Sequence, residues 1–306
     1  MSTVDQLPTE TAGVEEGESM LRRQVREYFR SPLATAATIT VATLILMAFF
    51  APLFVPQNPY DLSQLDIMDG LLPPGESTYS GRVLWLGSDE QGRDIYSAIL
   101  FGLRTSLTVG FLATAIACML GTIIGVISAY VGGWVDSFVM RVVDLQLSLP
   151  SILVALVLLA AFGRGIDKVI AALVIVQWAY YARTVRAAAL VERGAEYVEA
   201  ARCLMLSNTQ IVFRHVLPNC MPPIIVVATA QIAHAIALEA TLSFLGAGVP
   251  VTQPSLGMLI ASGYNYLLSG QYWISTYPGV VLVITVGAIN LMGDRLRDVL
   301  NPRLAN

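Results

Sequence analysis

A lysine set behind a glycine-rich turn holds nucleotide phosphates, and the chain's one lysine, Lys168, lies instead between Asp167 and Val169. No P-loop is present, so any ATP-driven work must draw its energy from another protein. Cys118, Cys203 and Cys220 are far apart and form no CxxC, so they read as small apolar side chains rather than a disulfide frame. His215 and His234 stand apart without ligand spacing, which argues against a metal site. No GxSxG elbow, HExxH helix or pair of intramembrane aspartates occurs, so the constellations of a membrane-embedded enzyme are missing. Two sets of polar groups remain. One is the segment 196–218, EYVEAARCLMLSNTQIVFRHVLP, and the other is the pair His234 and Glu239 inside a long apolar run.

These groups sit in a chain of 306 residues that is 55% hydrophobic and 13% charged, with mean hydropathy +0.65. Such a composition belongs to an integral membrane protein. The net charge of −4 and the acidic residues Glu10, Glu15, Glu16 and Glu18 in the first stretch make nucleic acid an unsuitable partner. Residues 1–20 read as a disordered polar tail. Arg22, Arg23, Arg26 and Arg30 then precede a bilayer-length apolar run from Leu33 to Val55. This run is too long for a cleavable signal peptide, and the Arg22-Arg23 pair fits a positive-inside anchor better than a twin-arginine signal.

Further spans are expected at Thr105–Tyr130, in the stretch that reaches Phe162 with Pro150 inside it, at Ile166–Ala182, at Leu217–Leu245, and from Pro278 to Met292. Residues 56–87 read as a loop on the outer side. Ser88 and Gln91 have capping-box spacing for a helix that enters the membrane near Thr105. Gly121 and Gly125 permit close helix contact. Asp136, Arg141 and Asp144 lie near a span start, where charges snorkel or pair at the interface, the alternative being a direct role in transport. Leu256–Leu267 is too short to cross and reads as re-entrant or interfacial, with Tyr264, Tyr266, Tyr272, Trp273 and Tyr277 in an aromatic belt.

The expected fold is thus all-α with six transmembrane helices. Six spans put both termini on one side, and 13 of the 18 Lys and Arg then fall on that side: Arg141, five in the loop 183–216 and seven near the termini. By the positive-inside rule that side is the cytoplasm. The chain divides into an N-terminal cytoplasmic tail (1–30), a first span with an outward loop and interfacial helix (31–104), a core (105–295) containing the loop 183–216, and a cytoplasmic tail (296–306).

Within the loop, Tyr197, Val198, Ala201, Leu204 and Met205 form one apolar face of a short helix, with Glu192, Glu196, Glu199 and Arg202 on the other side. An apolar stripe outside the bilayer needs a surface to cover it, either on its own protein and lipid headgroups or on a partner. Glu239, some fifteen apolar residues into its run, lies near the outer interface or is bonded to a partner helix, or else serves the transport path or its gate; His234, five residues earlier and poorly aligned with its face, is the second candidate for that path. A self-contained secondary carrier would show inverted repeats and interrupted helices with midplane ionisable groups, and no convincing repeat is visible.

Glu199-Ala200-Ala201, followed by Leu217-Pro218, resembles the EAA loop of binding-protein-dependent ABC transporter permeases. The stretches Leu86–Asp94, Gly132–Asp136, Glu239–Gly246, Pro254–Gly257 and Asn290–Asp294 are similar to the dipeptide, oligopeptide and nickel branch, and to the second of its two paired permeases. The resemblance implies a type I importer permease without enzymatic activity in a bacterial inner membrane. It also implies a second homologous permease, one or two cytoplasmic ATPases that bind ATP and Mg, and an extracytoplasmic substrate-binding protein. It implies short peptides as cargo, with nickel complexes, glutathione or opine-like solutes as alternatives. It assigns ATPase coupling to Glu196, Tyr197, Glu199, Ala200, Ala201, Arg202, Leu204, Met205 and Ser207. Two positions depart from the family's pattern: its Gly falls at Met205 and its Ile at His215. The missing Gly removes an easy turn, which Asn208 is expected to supply slightly later.

Overall fold

The computed structural model describes residues 20–59, 61, 63, 65–250 and 253–300. Among these no β-strand forms, only the isolated bridges Ser77–Val83 and Ser88–Asp94. The helices are α1 (Met20–Phe29), α2 (Pro32–Phe49), α3 (Ala51–Phe54), α4 (Ile95–Val131), α5 (Gly133–Ser148) and α6 (Ser151–Phe162). They continue with α7 (Ile166–Arg193), α8 (Glu196–Cys203), α9 (Asn208–Ile211), α10 (Leu217–Phe244), α11 (Leu256–Tyr264) and α12 (Trp273–Leu300).

Four helical stretches are long and apolar enough to cross a membrane: α2, α4, residues 208–244 and α12. The α5–α6 pair is a fifth if counted as one span, although it bends by 94° at its break. Pro150 was expected inside a continuous span. It ends the helix instead, because proline disfavours the helical region for the preceding residue, and Leu149 is extended with ψ 140°. α7 has the length to cross, 28 residues, but it carries Asp167, Lys168, Arg183 and Arg186. It runs eleven residues past the expected end at Ala182. The 37-residue stretch from Asn208 also begins well before the expected Leu217. A π-helical segment, Val212–Val216, leads into Pro218, so the helix passes a residue that cannot donate a backbone hydrogen bond. Residues 20–29 form α1, and the expected disordered tail, residues 1–20, lies outside the described residues but for Met20, as do 301–306.

α4 packs along α7 through two of its glycines, Gly121 and Gly125. A Cβ on Gly121 would lie 2.5 Å from the Trp178 carbonyl oxygen and the Tyr181 Cβ, and one on Gly125 would lie 2.6 Å from the Ala182 carbonyl oxygen. Only a missing side chain permits that approach. The main core gathers around α4, α7 and α10 and includes Val109, Leu173, Tyr181, Val185, Ile224 and Leu242. A second core joins α2, the first turns of α4, α11 and α12 through Ile95, Leu103, Leu107, Leu259 and Ile289. α11 lies against α10 and α12 and is too short to span, in agreement with the expectation. Trp273 leaves the expected aromatic belt: it is buried, and its Nε1 donates to the Ser88 carbonyl at 3.2 Å.

The loop before α4 differs from the capping-box reading. Asp94, not Ser88, caps α4 by accepting from the Ser97 amide at 2.9 Å. Ser88 is spent elsewhere, its hydroxyl donating to the Asp69 carbonyl at 2.6 Å and accepting from the Leu72 amide at 2.8 Å. Asp89 accepts from the amides of Gln91 and Arg93, each at 2.9 Å, and so folds the intervening turn. α4 then runs unbroken to Val131, so the expected boundary between residues 104 and 105 falls inside one helix.

Candidate functional site

α8 stands outside the long helices, at the end where α7 finishes. Its apolar residues divide between two surfaces. Val198 (0% exposed) and Ala201 (4%) turn inward and join the main core. Leu204 (75%) and Met205 (93%) lie past the helix end and face outward. The expected single apolar face is therefore half used by the protein itself and half uncovered. Glu196, Glu199, Ala200, Arg202 and Ser207 are exposed around it. Tyr197 is partly exposed, and its hydroxyl donates to the Glu192 carboxylate and accepts from Asn219 Nδ2 at 2.9 Å. Burial and the Glu192 carboxylate together push the Tyr197 phenol above its ordinary pKa. The His215 ring lies 6.4 Å from the Tyr197 ring, so His215 packs on α8 from the π-helical segment.

α8 ends at Cys203, so Leu204 and Met205, expected on its apolar face, lie beyond it. Leu206 N–H reaches the Ala201 carbonyl at 3.2 Å and Met205 N–H the Arg202 carbonyl at 2.9 Å, the hydrogen-bond pair of a Schellman turn. Met205 takes the left-handed conformation this turn needs, with φ +56°. Asn208, expected in that role, opens α9, whose N-cap is a Ser207–Gln210 capping box.

The same end is braced by charge pairs. Asp136 on α5 accepts from Arg186 on α7 at 2.5 Å and from the Ser128 hydroxyl at 2.6 Å. Asp144 pairs with Arg183, so both aspartates near the span start have partners, as expected. Arg193 donates to the Ala129 carbonyl at 2.9 Å, and the Tyr130 hydroxyl donates to Asn208 Oδ1. These contacts tie the ends of α4, α5 and α7 to the base of α8 and α9.

Deeper in α10, Glu239 and His234 point in different directions. Glu239 is fully buried; its carboxylate accepts from Ser106 on α4 and from Ser243, each at 2.7 Å. Ser106 in turn accepts from the Leu256 amide of α11 at 3.4 Å, so Glu239 sits where three helices meet. His234 is exposed on the opposite side, in a stripe with Ala230 and Thr241. It lies about 15 Å from the Phe244 end of the helix at 1.5 Å per residue.

Residues 121–306, more than half the chain, match the family described as "Binding-protein-dependent transport system inner membrane component". The chain belongs to that permease family. Residues 19–74 also match the N-terminal transmembrane domain of oligopeptide transport permease C. A probable D,D-dipeptide transport system permease of Escherichia coli is 36% identical over 273 residues, covering 89% of this chain and 88% of that protein. A di/tripeptide transport permease of Pseudomonas aeruginosa is 36% identical, covering 92% and 93%. A glutathione transport permease of Pectobacterium atrosepticum is 35% identical, covering 91% and 90%. The fold resembles an inward-facing MetNI methionine ABC transporter chain, with TM-score 0.55, 22% identity, and 67% and 96% of the two chains covered.

For a permease of this family, the two departures in the EAA loop have structural answers. Met205 adopts the conformation that glycine takes freely, at a cost of roughly 1 kcal/mol for a residue with a Cβ. Its side chain is almost fully exposed, so removing it forfeits little contact. Met205→Gly is therefore expected to stabilise the permease by about 0.5–1 kcal/mol and to raise its unfolding temperature in detergent by roughly 1–3 °C. An unchanged or lower temperature would refute the left-handed turn. Sequence reasoning missed three features: the Tyr197–Glu192–Asn219 network, the identity of Arg186 as the partner of Asp136, and the buried polar link in which Gln177 donates to the Gln231 carbonyl at 3.0 Å. The charges on α7 at i and i+3, Arg183 and Arg186, were the available signal for the ion pairs.

Proposed function

We propose that this permease forms, with a second homologous permease, the translocation path of an ATP-driven importer of short peptides in a bacterial inner membrane. What carries the reading is α8: a helix closed at its C-terminus by a Schellman turn, anchored by Val198 and Ala201, with Leu204 and Met205 left uncovered. In this reading the chain crosses the membrane six times with both termini in the cytoplasm. Glu196, Tyr197, Glu199, Ala200, Arg202, Leu204, Met205 and Ser207 form the contact with a cytoplasmic ATPase, which binds ATP and Mg, and Ala201 serves the coupling by anchoring α8 in the core. An external binding protein delivers the cargo. The names of the D,D-dipeptide and di/tripeptide relatives support peptides, and the glutathione relative supports a tripeptide-like solute as the alternative.

Mechanically, closure of the ATPases moves α8. Because Val198 and Ala201 are packed in the main core, and the Arg186–Asp136 pair joins α7 to α5, that movement passes to the long helices as a rigid-body tilt. His234 faces the path, and Glu239 holds α10 against α4 from behind it. The test is reconstitution of the permease with its paired permease, ATPases and binding protein in proteoliposomes. ATP-dependent uptake of labelled di- and trialanine is expected, with none from the permease alone under an ion gradient. Uptake by the lone permease would overturn the reading.

A further inference from the structure

The short helix α1 has three sides, and the protein covers one of them. At about 3.6 residues per turn, Gln24, Glu27 and Tyr28 share the covered side. The Tyr28 hydroxyl hydrogen-bonds with the Thr38 hydroxyl of α2 at 2.8 Å, and Arg295 of α12 donates to the Glu27 carbonyl at 2.6 Å. Val25 and Phe29, four residues apart, form a second side and are 50% and 51% exposed. Arg22, Arg26, Arg30 and Arg23 occupy the third, and all four are exposed. With Arg295 beside them, five guanidinium groups gather at this end of the chain, and Glu27 is the one acidic residue of α1.

The place of α1 relative to a bilayer follows from α2. That helix starts at Pro32, and its 18 apolar residues reach about 27 Å at 1.5 Å per residue, close to the hydrocarbon thickness. Its first turn therefore stands at a membrane interface, and Ser31, extended and capping α2, breaks the helix there. α2 also leaves Leu33 and Ile39 exposed near this break, as a lipid-facing helix does. A basic strip beside an apolar strip, on a helix held at the interface, is the pattern of a helix lying in the headgroup layer. The two strips require anions and hydrocarbon together. The acidic residues Glu10, Glu15, Glu16 and Glu18 could answer the arginines but would leave Val25 and Phe29 in water. An anionic lipid answers both strips.

We infer that α1 is a binding element for anionic lipid, with Val25 and Phe29 in the acyl boundary and Arg22, Arg23, Arg26 and Arg30 on the headgroups. A guanidinium suits this role because its planar fork of donors matches phosphate oxygens in pairs. Since α1 is bonded to α2 and α12, bound lipid fastens the ends of both helices to the membrane surface. The inference needs α2 to cross the bilayer; it does not depend on the cargo or on the ATPase contact.

The experiment uses the full-length permease in phosphatidylcholine proteoliposomes with or without phosphatidylglycerol. Cys118, Cys203 and Cys220 are replaced, Val25→Cys is introduced, and an environment-sensitive fluorophore is attached there. Lipid carrying a doxyl group high on its acyl chain is expected to quench this fluorophore at least threefold more strongly than aqueous iodide. A fluorophore open to iodide and not to lipid would overturn the assignment. So would one shielded from both in the assembled transporter, because a protein then covers the face. Headgroup choice is read by electron spin resonance with spin-labelled phosphatidylglycerol and phosphatidylcholine. The unaltered permease is expected to hold phosphatidylglycerol at least threefold in preference, and less so as salt rises. Arg22→Gln with Arg23→Gln, which leaves Arg26 and Arg30 to orient the first span, is expected to halve that preference at least, and the corresponding lysine pair to keep it. Equal association of the two lipids, or a preference unmoved by the glutamine pair, would overturn the inference. Inorganic phosphate that abolishes the preference where chloride of equal ionic strength does not would also overturn it, by marking a site for soluble anions.

Discussion

Glu199→Lys is expected to lower ATP-coupled uptake at least tenfold while leaving the unfolding temperature of the permease within about 1 °C of the unaltered chain. The Glu199 side chain is exposed on α8 and makes no hydrogen bond or ion pair among the described residues. Reversing its charge removes only a weak interaction with the helix N-terminus, worth a few tenths of a kcal/mol at an exposed site. At a protein contact the same reversal places like against like or loses a partner, which costs several kcal/mol, and 1.4 kcal/mol already corresponds to tenfold. Ala201→Leu makes the contrast. Ala201 is 4% exposed and packed in the main core, so added methylenes overpack it at about 1–3 kcal/mol, and lost uptake comes together with a lower unfolding temperature. Uptake and ATP hydrolysis in proteoliposomes, paired with thermal unfolding, separate the two. Coupled uptake at the unaltered rate in Glu199→Lys would remove Glu199 from the coupling contact.

The second large effect belongs to Glu239. Glu239→Ala is expected to lower the unfolding temperature by about 5 °C or more, because it leaves a cavity and strips the Ser106 and Ser243 hydroxyls of their acceptor at a junction of α4, α10 and α11. Glu239→Gln keeps the shape, and its amide can accept from one serine and donate to the other. Uptake within twofold of the unaltered chain is therefore expected for Glu239→Gln. A stable Glu239→Gln permease that no longer transports would show that the carboxylate itself serves the path. Comparison of the two variants by unfolding in detergent and by uptake decides between bracing and transport.

The outline of this permease was readable because each signal was local. A run such as Leu33–Val55 is apolar for reasons of solvent alone, and its place in a membrane needs no knowledge of its neighbours. The EAA segment announced a short helix by its own periodicity, and α8 forms there, starting at Glu196. The paired state of Asp136 and Asp144 followed from the cost of leaving charges alone near a span. Where the sequence misled, a local pattern competed with a distant partner. Ser88 has the spacing of a cap, yet Asp69 and Leu72 claim its hydroxyl, and Asp94 takes the helix. Trp273 has the composition of an interfacial anchor, but the Ser88 carbonyl offers its indole a buried acceptor.

The sequence by itself determined that this chain is a membrane-embedded helical protein without a P-loop, carrying a charged segment between apolar runs. Hydropathy, the lone lysine and short-range periodicity are properties of the chain that no fold can revise. Only the tertiary structure decided which side of each helix is covered. It divided the apolar stripe of α8 into buried Val198 and Ala201 and uncovered Leu204 and Met205, and it turned Glu239 inward and His234 outward on one helix. It also gave Met205 the left-handed turn, because the bonds to Ala201 and Arg202 that fix it depend on how the whole loop closes. Burial and exposure are set by partners far away in sequence, and a linear pattern records the need for a partner without saying where it will come from.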